Sequence, residues 1–270
     1  MLKSIAFVGG GAMGEAIIRG LIGKALVEAR NIVVGEPVAE RRAALVARHG
    51  IRTTASNAEA TLGAEVVLLA IKPQHAAAAF RELRGTLTAD QLVLSIIAGV
   101  TMPTIVEALD HRRVVRVMPN TPAQVGEGMS VWTATPDVNE AGRLAARTIL
   151  ECLGREVAVP EEKYLDMATA LNGSGPGYFF LFFEAMVDAG VRLGFARPIA
   201  ELLVLQTALG SAKMALESGK HLAELRNLVT SPAGTTAAGL AELEEGRLRS
   251  VVDRAVFAAY ERSRELGQAK

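Results

Sequence analysis

Two stretches of this 270-residue chain carry residues spaced for chemistry, one through its glycines and one through its hydroxyls. The first is Ile5-Ala6-Phe7-Val8-Gly9-Gly10-Gly11-Ala12-Met13-Gly14, an apolar strand running straight into Gly-x-Gly-x-x-Gly. In a strand–turn–helix of this kind Gly9 permits the tight turn, Gly11 lets a pyrophosphate approach the backbone, and Gly14 lets the helix pack on the sheet. The phosphates then meet the free N–H groups at the start of the helix. The second stretch is Ser231-Pro232-Ala233-Gly234-Thr235-Thr236, set among strong helix formers. Such a turn offers hydroxyl and backbone N–H donors to an anion. A dinucleotide site and a carboxylate-sized site in one chain point to an oxidoreductase acting on a small acid.

Other candidates sit where strands end, because doubly wound sheets bind ligands outside the carboxyl ends of their strands. Glu36 closes the second strand, 22 residues after Gly14. A carboxylate there accepts hydrogen bonds from the adenosine ribose and repels a 2′-phosphate, which favours NADH. Arg41 and Arg42 follow within about a helical turn, either reaching toward a 2′-phosphate or lying as solvated helix surface, so NADPH stays open. Ala70-Ile71-Lys72-Pro73 and Met118-Pro119-Asn120-Thr121-Pro122 end two more strands, each with a proline that forces an extended turn. Lys72 is placed to meet cofactor phosphates or ribose, or water; Asn120 to bond a ligand amide, or to cap its own turn.

The elements that must hold these residues change character near Pro160. Before it, apolar runs at Ile5–Val8, Ile32–Val34, Val66–Ile71, Leu92–Ile97 and Val114–Met118 alternate with helical patterns at Gly14–Leu26, Val38–His49, His75–Arg84 and Thr104–Leu109. That alternation predicts a doubly wound, mainly parallel Rossmann-type sheet, of class α/β. Met129–Thr133 and Glu156–Val159, flanking a helix over Val138–Cys152, extend the sheet in an unspecified direction. After Glu161 every segment has helical periodicity: Glu161–Leu171, Pro176–Leu193, Pro198–Glu217, His221–Leu228, Thr235–Glu245 and Leu248–Leu266. The expected division is 1–160 for the dinucleotide-binding domain and 161–270 for an all-helical substrate-binding and dimerisation domain. Ala208, Gly210, Ser211, Ala212 and Ala215 give one long helix the small faces that allow close helix contact.

Composition narrows the partners. Lys plus Arg and Asp plus Glu both number 29, so nothing advertises a polyanion, and nucleic acid is not an expected partner. The apolar run near the N-terminus stops at three glycines, too short for a signal sequence. The run Tyr178–Phe183 is cut by Glu184 and Asp188, far short of a membrane span. A soluble, cytoplasmic protein is expected. The lone Cys152 fits a reducing compartment and reads as a small buried hydrophobe. No histidine among His49, His75, His111 and His221 has metal-ligand spacing, and surface or capping roles are expected for all four, with no metal.

These motifs together resemble the pyrroline-5-carboxylate reductase family. The matching segments are Phe7 to Gly14, Ala70 to Pro73, Met118 to Pro122, Gly173-Ser174-Gly175-Pro176, and Leu225 to Glu244 with its Ser-Pro-x-Gly-x-Thr turn. The resemblance implies reduction of L-1-pyrroline-5-carboxylate to L-proline by NADPH or NADH, the last step of proline biosynthesis. It implies dinucleotide contacts at Val8, Gly9, Gly10, Gly11, Ala12, Met13, Asn57, Ala70, Ile71, Lys72, Pro73, Ile96, Ile97 and Ala98, beside Gly14, Glu36 and Asn120. It implies a substrate carboxylate held by Ser231, Gly234, Thr235 and Thr236, with Glu162 near the substrate and the Thr169 hydroxyl, the catalytic candidate, at the ring nitrogen. A partner subunit completes the site in this family, so a homodimer at least is expected, with room for an assembly of dimers.

Two departures stand out. Asn172 occupies a position where members often carry Ser, and Glu36 one where members that accept a 2′-phosphate carry a small polar residue. The rival readings are a β-hydroxyacid dehydrogenase, a reductase of another cyclic imine, and a dinucleotide sensor without activity. The first class carries a Lys with an Asn four residues on; here Met167 follows Lys163 and Glu217 follows Lys213.

Overall fold

A computed structural model of the chain describes residues 2–268. Its first part is one eight-stranded sheet: β1 (Ile5–Val8), β2 (Ile32–Gly35), β3 (Arg52–Thr54), β4 (Val66–Leu69), β5 (Leu92–Ser95), β6 (Val114–Met118), β7 (Gly128–Ala134) and β8 (Gly154–Ala158). The strands lie in the order β3-β2-β1-β4-β5-β6-β7-β8. β1 to β6 are mutually parallel. β7 runs antiparallel to β6, and β8 parallel to β7, which fixes the direction the sequence left open. The order reverses at β1, and the crevice beyond the carboxyl ends of β1 and β4 is where such a sheet takes its ligand.

The central strands β1, β4 and β5 are apolar on both faces, Ser95 apart, because both are covered. Ile5, Phe7, Leu68 and Leu94 face one side and cluster with Ile17, Ile18 and Leu21 of helix Ala12–Gly23 and with Ile149 and Leu150 of helix Glu140–Glu151. Ala6, Val8, Val67 and Val93 face the other and meet Phe80 and Leu83 of helix Pro73–Leu83 and Ile105 and Leu109 of helix Met102–Leu109.

The sequence reading overlooks β3 and the helix Asn57–Thr61. Arg52-Thr53-Thr54 is three polar residues at the sheet's edge, too short for a period to show. The five-residue helix is set by its cap, Ser56 Oγ accepting the Glu59 N–H at 3.2 Å. The single helix expected over Glu161–Leu171 is Lys163–Ala168 followed by a wider, π-type turn at Thr169–Gly173, in which the Ser174 N–H reaches back to the Thr169 carbonyl at 2.8 Å.

Helices then follow at Gly175–Arg192, Arg197–Ser218, Leu222–Leu228, Thr235–Glu245 and Leu248–Gln268. The fold is thus the expected α/β sheet domain followed by an all-α dimerisation domain. By compactness the chain falls into two units, Met1–Ser174 with Ala259–Lys270, and Gly175–Ala258. Within the second, Gly190 lets helix Gly175–Arg192 close on Ala200, where a Cβ would stand 3.1 Å from the alanine methyl. Most of its large apolar side chains, Phe179, Phe180, Leu202 and Leu209 among them, are exposed in the single chain. Helix Arg197–Ser218 has the length and apolar composition to cross a membrane, a point the sequence reading did not weigh.

Candidate active site

The glycine turn is shaped by contacts that glycine alone tolerates. Gly9 has φ +95°, and a Cβ there would lie 2.6 Å from Ile71 Cγ2 and 2.9 Å from the Ala70 carbonyl oxygen. Gly14 is close-packed too, with Gly9 O at 3.1 Å and Ala70 Cβ at 3.3 Å from the same imagined atom. Gly11 differs: its nearest neighbour would be Ala70 O at 4.0 Å. It opens helix Ala12–Gly23 without any side-chain cap. Open space over uncapped N–H groups suits a pyrophosphate, and a dinucleotide fits this cradle. Ala70 and Ile71 press on Gly9, and the Ile96 N–H bonds the Leu69 carbonyl at 3.1 Å, so the turns after β1, β4 and β5 adjoin along one edge.

Glu36 stands at the end of β2 with its carboxylate held from two sides. Oε2 accepts the Gly10 N–H and Oε1 the Val38 N–H, both at 3.0 Å. The neighbouring arginines are already engaged. Arg41 donates to the Gly10 carbonyl and to Glu15 Oε2, each at 2.6 Å. Arg42 donates to the carbonyls of Glu36 and Pro37 at 2.7 and 2.9 Å. Neither is free solvated surface. Glu15 also receives Arg48 at 3.2 Å and His49 at 2.9 Å. Burial pushes this carboxyl up, but hydrogen bonds from His49, Arg41 and Arg48 outweigh it and hold it at about 2.

Asn57 donates to Glu82 Oε2 at 2.7 Å and packs on Gly35, where a Cβ would stand 2.6 Å from Asn57 Oδ1. Glu82 also accepts from Ser56 Oγ and the Ala58 N–H; burial raises its pKa, but these bonds win and lower it. Lys72 is exposed and starts helix Pro73–Leu83. Ile97 is buried while Ala98 is exposed. Asn120 Oδ1 accepts the Met129 N–H at 2.9 Å, completing the ladder where Pro119 turns β6 away from β7. Asn172 Nδ2 donates to the carbonyl of the same Met129 at 3.1 Å. The two asparagines thus hold one residue from both sides, and Asn172 acquires a role its sequence position did not disclose.

The Thr169 hydroxyl donates to the Leu165 carbonyl at 2.7 Å, the back-bond open to any helical threonine. Glu162 Oε1 accepts from Arg116 at 2.6 Å and from the Met102 N–H at 2.7 Å. Arg116 is 4 % exposed and escaped the sequence reading; its signal was a lone charge inside Val-Val-Arg-Val-Met.

In the helical unit, the Ser231 turn closes with the Gly234 N–H on the Ser231 carbonyl at 3.0 Å. A Cβ at Gly234 would collide with Ser231 Oγ, and Ala233 takes φ +57°. Gly234 opens helix Thr235–Glu245 with no side-chain cap. The turn therefore presents uncapped N–H groups beside the hydroxyls of Ser231, Thr235 and Thr236, an arrangement suited to a carboxylate.

The remaining candidates are structural. Cys152 is buried, and burial pushes its thiol up to about 12. His111, for which a surface or capping role was expected, is buried with its ring 2.9 Å from the Gln91 carbonyl, and burial lowers its pKa. His221 caps its helix by accepting the Ala223 N–H.

Comparison with known proteins matches two family models: pyrroline-5-carboxylate reductase dimerisation over residues 162–266, and NADP oxidoreductase coenzyme F420-dependent over residues 4–99. A pyrroline-5-carboxylate reductase of Synechocystis sp. is 42 % identical over 99 % of this chain and 100 % of its own length. The structure of a pyrroline-5-carboxylate reductase from Coxiella burnetii superposes with TM-score 0.92 at 37 % identity, covering 98 % of this chain and 99 % of the other. The Plasmodium falciparum pyrroline carboxylate reductase with NADP bound gives TM-score 0.88 at 31 % identity, covering 98 % of each chain.

Proposed function

This chain belongs to the pyrroline-5-carboxylate reductase family, and from that premise we propose how its residues divide the work. It reduces the C=N bond of L-1-pyrroline-5-carboxylate with NAD(P)H, giving L-proline and completing proline biosynthesis. The observation that carries this reading is the pair of uncapped helix starts, one behind Gly11 and one behind Gly234, each preceded by a turn only small residues can form.

Val8 to Gly14 and the adjoining turns at Ala70 to Pro73 and Ile96 to Ala98 hold the dinucleotide. Asn57 and Asn120 shape the edges of that site through Glu82 and Met129. When bound, the reduced nicotinamide supplies hydride. Ser231, Gly234, Thr235 and Thr236 hold the substrate carboxylate, each charge-assisted hydrogen bond contributing roughly 1.5–3 kcal/mol. Glu162 faces the substrate through Oε2, since Oε1 is already engaged. Thr169 meets the ring nitrogen as an acceptor: its own proton lies on Leu165, leaving lone pairs for the N–H of the protonated imine. That contact raises the fraction of the electrophilic, protonated form. We place residues 1–160 in the dinucleotide-binding part and 161–270 in the substrate-binding and dimerisation part, in a soluble cytoplasmic enzyme.

The dimerisation domain supports association. The exposed apolar helices after Gly175, including the membrane-length Arg197–Ser218, favour burial against a second copy over burial in lipid. We infer a homodimer at least, with dimers able to assemble further, and light scattering that returned a fully active monomer would overturn it.

Cofactor choice is tested by steady-state reduction with NADH and NADPH side by side. Glu36 sets one negative charge where a 2′-phosphate would sit, so NADH is the favoured donor. Glu36→Gln is the informative variant, because it removes the charge while keeping the length of the side chain and one of the two acceptors that the Gly10 and Val38 N–H groups use. The variant should raise kcat/KM for NADPH relative to NADH by at least about fivefold, the roughly 1 kcal/mol of a like-charge contact at 4 Å fully screened by water. An unchanged ratio would place Glu36 away from the ribose. No oxidation of either dinucleotide by folded enzyme with this substrate would remove the assigned reaction.

A further inference from the structure

The buried Arg116 has no part in the division of labour above, yet its charge reaches the cofactor edge through a single carboxylate. Arg116 lies in the middle of β6, between Ser95 of β5 and Thr133 of β7, and is 4 % exposed. A guanidinium so placed is costly unless paired. Glu162 pairs with it at 2.6 Å. The same oxygen, Oε1, accepts the N–H of Met102 at 2.7 Å. Met102 is the first residue of helix Met102–Leu109, and the segment joining that helix to β5 is residues 96–101.

The loop 96–101 has a definite place over the sheet. Glu36 marks the adenosine ribose at the end of β2, and the glycine turn marks the pyrophosphate at the end of β1. The other half of a dinucleotide must therefore extend over the ends of β4 and β5. Residues 96–98 leave β5 there, tied to β4 by the Ile96 N–H on the Leu69 carbonyl. The upstream end of the loop is thus fixed to the sheet, and its downstream end is fixed by Glu162.

We propose that Arg116 and Glu162 are positioning residues for the dinucleotide: the buried guanidinium fixes the Glu162 carboxylate, and the carboxylate anchors the far end of loop 96–101 beneath the nicotinamide half. This rests on the dinucleotide reading of the Val8–Gly14 turn. Arg116 acts only through another side chain, since it is too buried to touch either ligand.

The test uses the full-length enzyme and three variants, with dinucleotide Kd from NADPH and NADH fluorescence, KM for both reactants, and Tm. Arg116→Met should raise dinucleotide Kd and KM about tenfold, the loss expected of one charge-assisted hydrogen bond. KM for pyrroline-5-carboxylate should rise by less than the dinucleotide Kd, because Glu162 stays in place to meet the substrate through Oε2 while the loop loses its anchor. Arg116→Met with Glu162→Met removes both charges, so Tm should recover toward wild type while Kd stays high. Recovery of Kd together with Tm would reduce the pair to a fold contact and overturn the proposal. So would a well-folded Arg116→Met with wild-type Kd, or one whose pyrroline-5-carboxylate KM moves instead. If Arg116→Met does not fold, Glu162→Gln keeps shape and one acceptor; it should raise Kd severalfold, and wild-type Kd there would equally overturn the proposal. A wild-type enzyme that bound neither dinucleotide would instead sink the underlying reading.

Discussion

Gly9→Ala and Gly11→Ala should fail in different ways. At Gly9 a methyl would force a left-handed alanine into Ile71 Cγ2 at 2.6 Å and the Ala70 carbonyl at 2.9 Å. The carbonyl has little room to retreat, because Ala70 is tied by its N–H to Val8 at 2.9 Å. The combined strain should cost about 2–4 kcal/mol. For a chain of this length that lowers Tm by roughly 5–15 °C, with KM for NAD(P)H raised more than about tenfold as the turn is displaced. At Gly11 the methyl meets nothing closer than 4.0 Å and φ is −66°, so Tm should hold. The dinucleotide KM should still rise about tenfold or more, because the methyl occupies the approach to the helix N–H groups. Thermal unfolding beside cofactor titration separates the two. A Gly11→Ala enzyme with unaltered dinucleotide KM would show that the phosphates approach elsewhere.

Thr236→Val and Thr169→Val should divide binding from chemistry. The carboxylate contact proposed for Thr236 would persist into the transition state, so losing it should raise KM for pyrroline-5-carboxylate roughly tenfold to a hundredfold with kcat nearly unchanged. Thr169→Val removes the lone pair proposed to favour the protonated imine and should lower kcat about tenfold. That loss should shrink as pH is lowered, because a proton-rich medium protonates the imine unaided. kcat and KM across pH for both variants are the measurement. A silent Thr169→Val with a kcat loss at Thr236 would move the nitrogen contact to the Ser231–Thr236 turn and leave Thr169 as a helix residue bonded to Leu165.

The turns at Gly9–Gly14 and Ser231–Thr236 were legible in the sequence as turns because glycine, proline and hydroxyl residues encode their own backbone geometry. Five of the six parallel strands were legible for the same local reason, as short runs that are apolar but for Ser95 and Arg116. β3 was not, since three polar residues at an edge carry no period. The partners of the site residues were hidden because they come from distant positions. Glu82 reaches Asn57 across 25 residues, Arg116 reaches Glu162 across 46, and Asn172 reaches Met129 across 43. Only the fold brings such pairs together, and a lone Arg in a strand was the one hint available beforehand. The inward turn of His111 was hidden for a related reason: the carbonyl its ring meets belongs to Gln91, 20 residues earlier in the chain.

The knot of cations on Glu15 has a consequence for behaviour in acid. Its carboxyl has a pKa of about 2 in the folded chain against an ordinary 4.5. A depressed folded value means stabilisation that is complete above the ordinary pKa and is lost as pH falls toward the folded one, here on the order of 3 kcal/mol. Between those two values the unfolded chain takes up the proton while the native one declines it. Arg41 therefore keeps its grip on both Glu15 and the Gly10 carbonyl throughout that window. Acid should not loosen the dinucleotide turn by degrees; it should leave the surviving native molecules with an intact turn and reduce only how many of them remain folded.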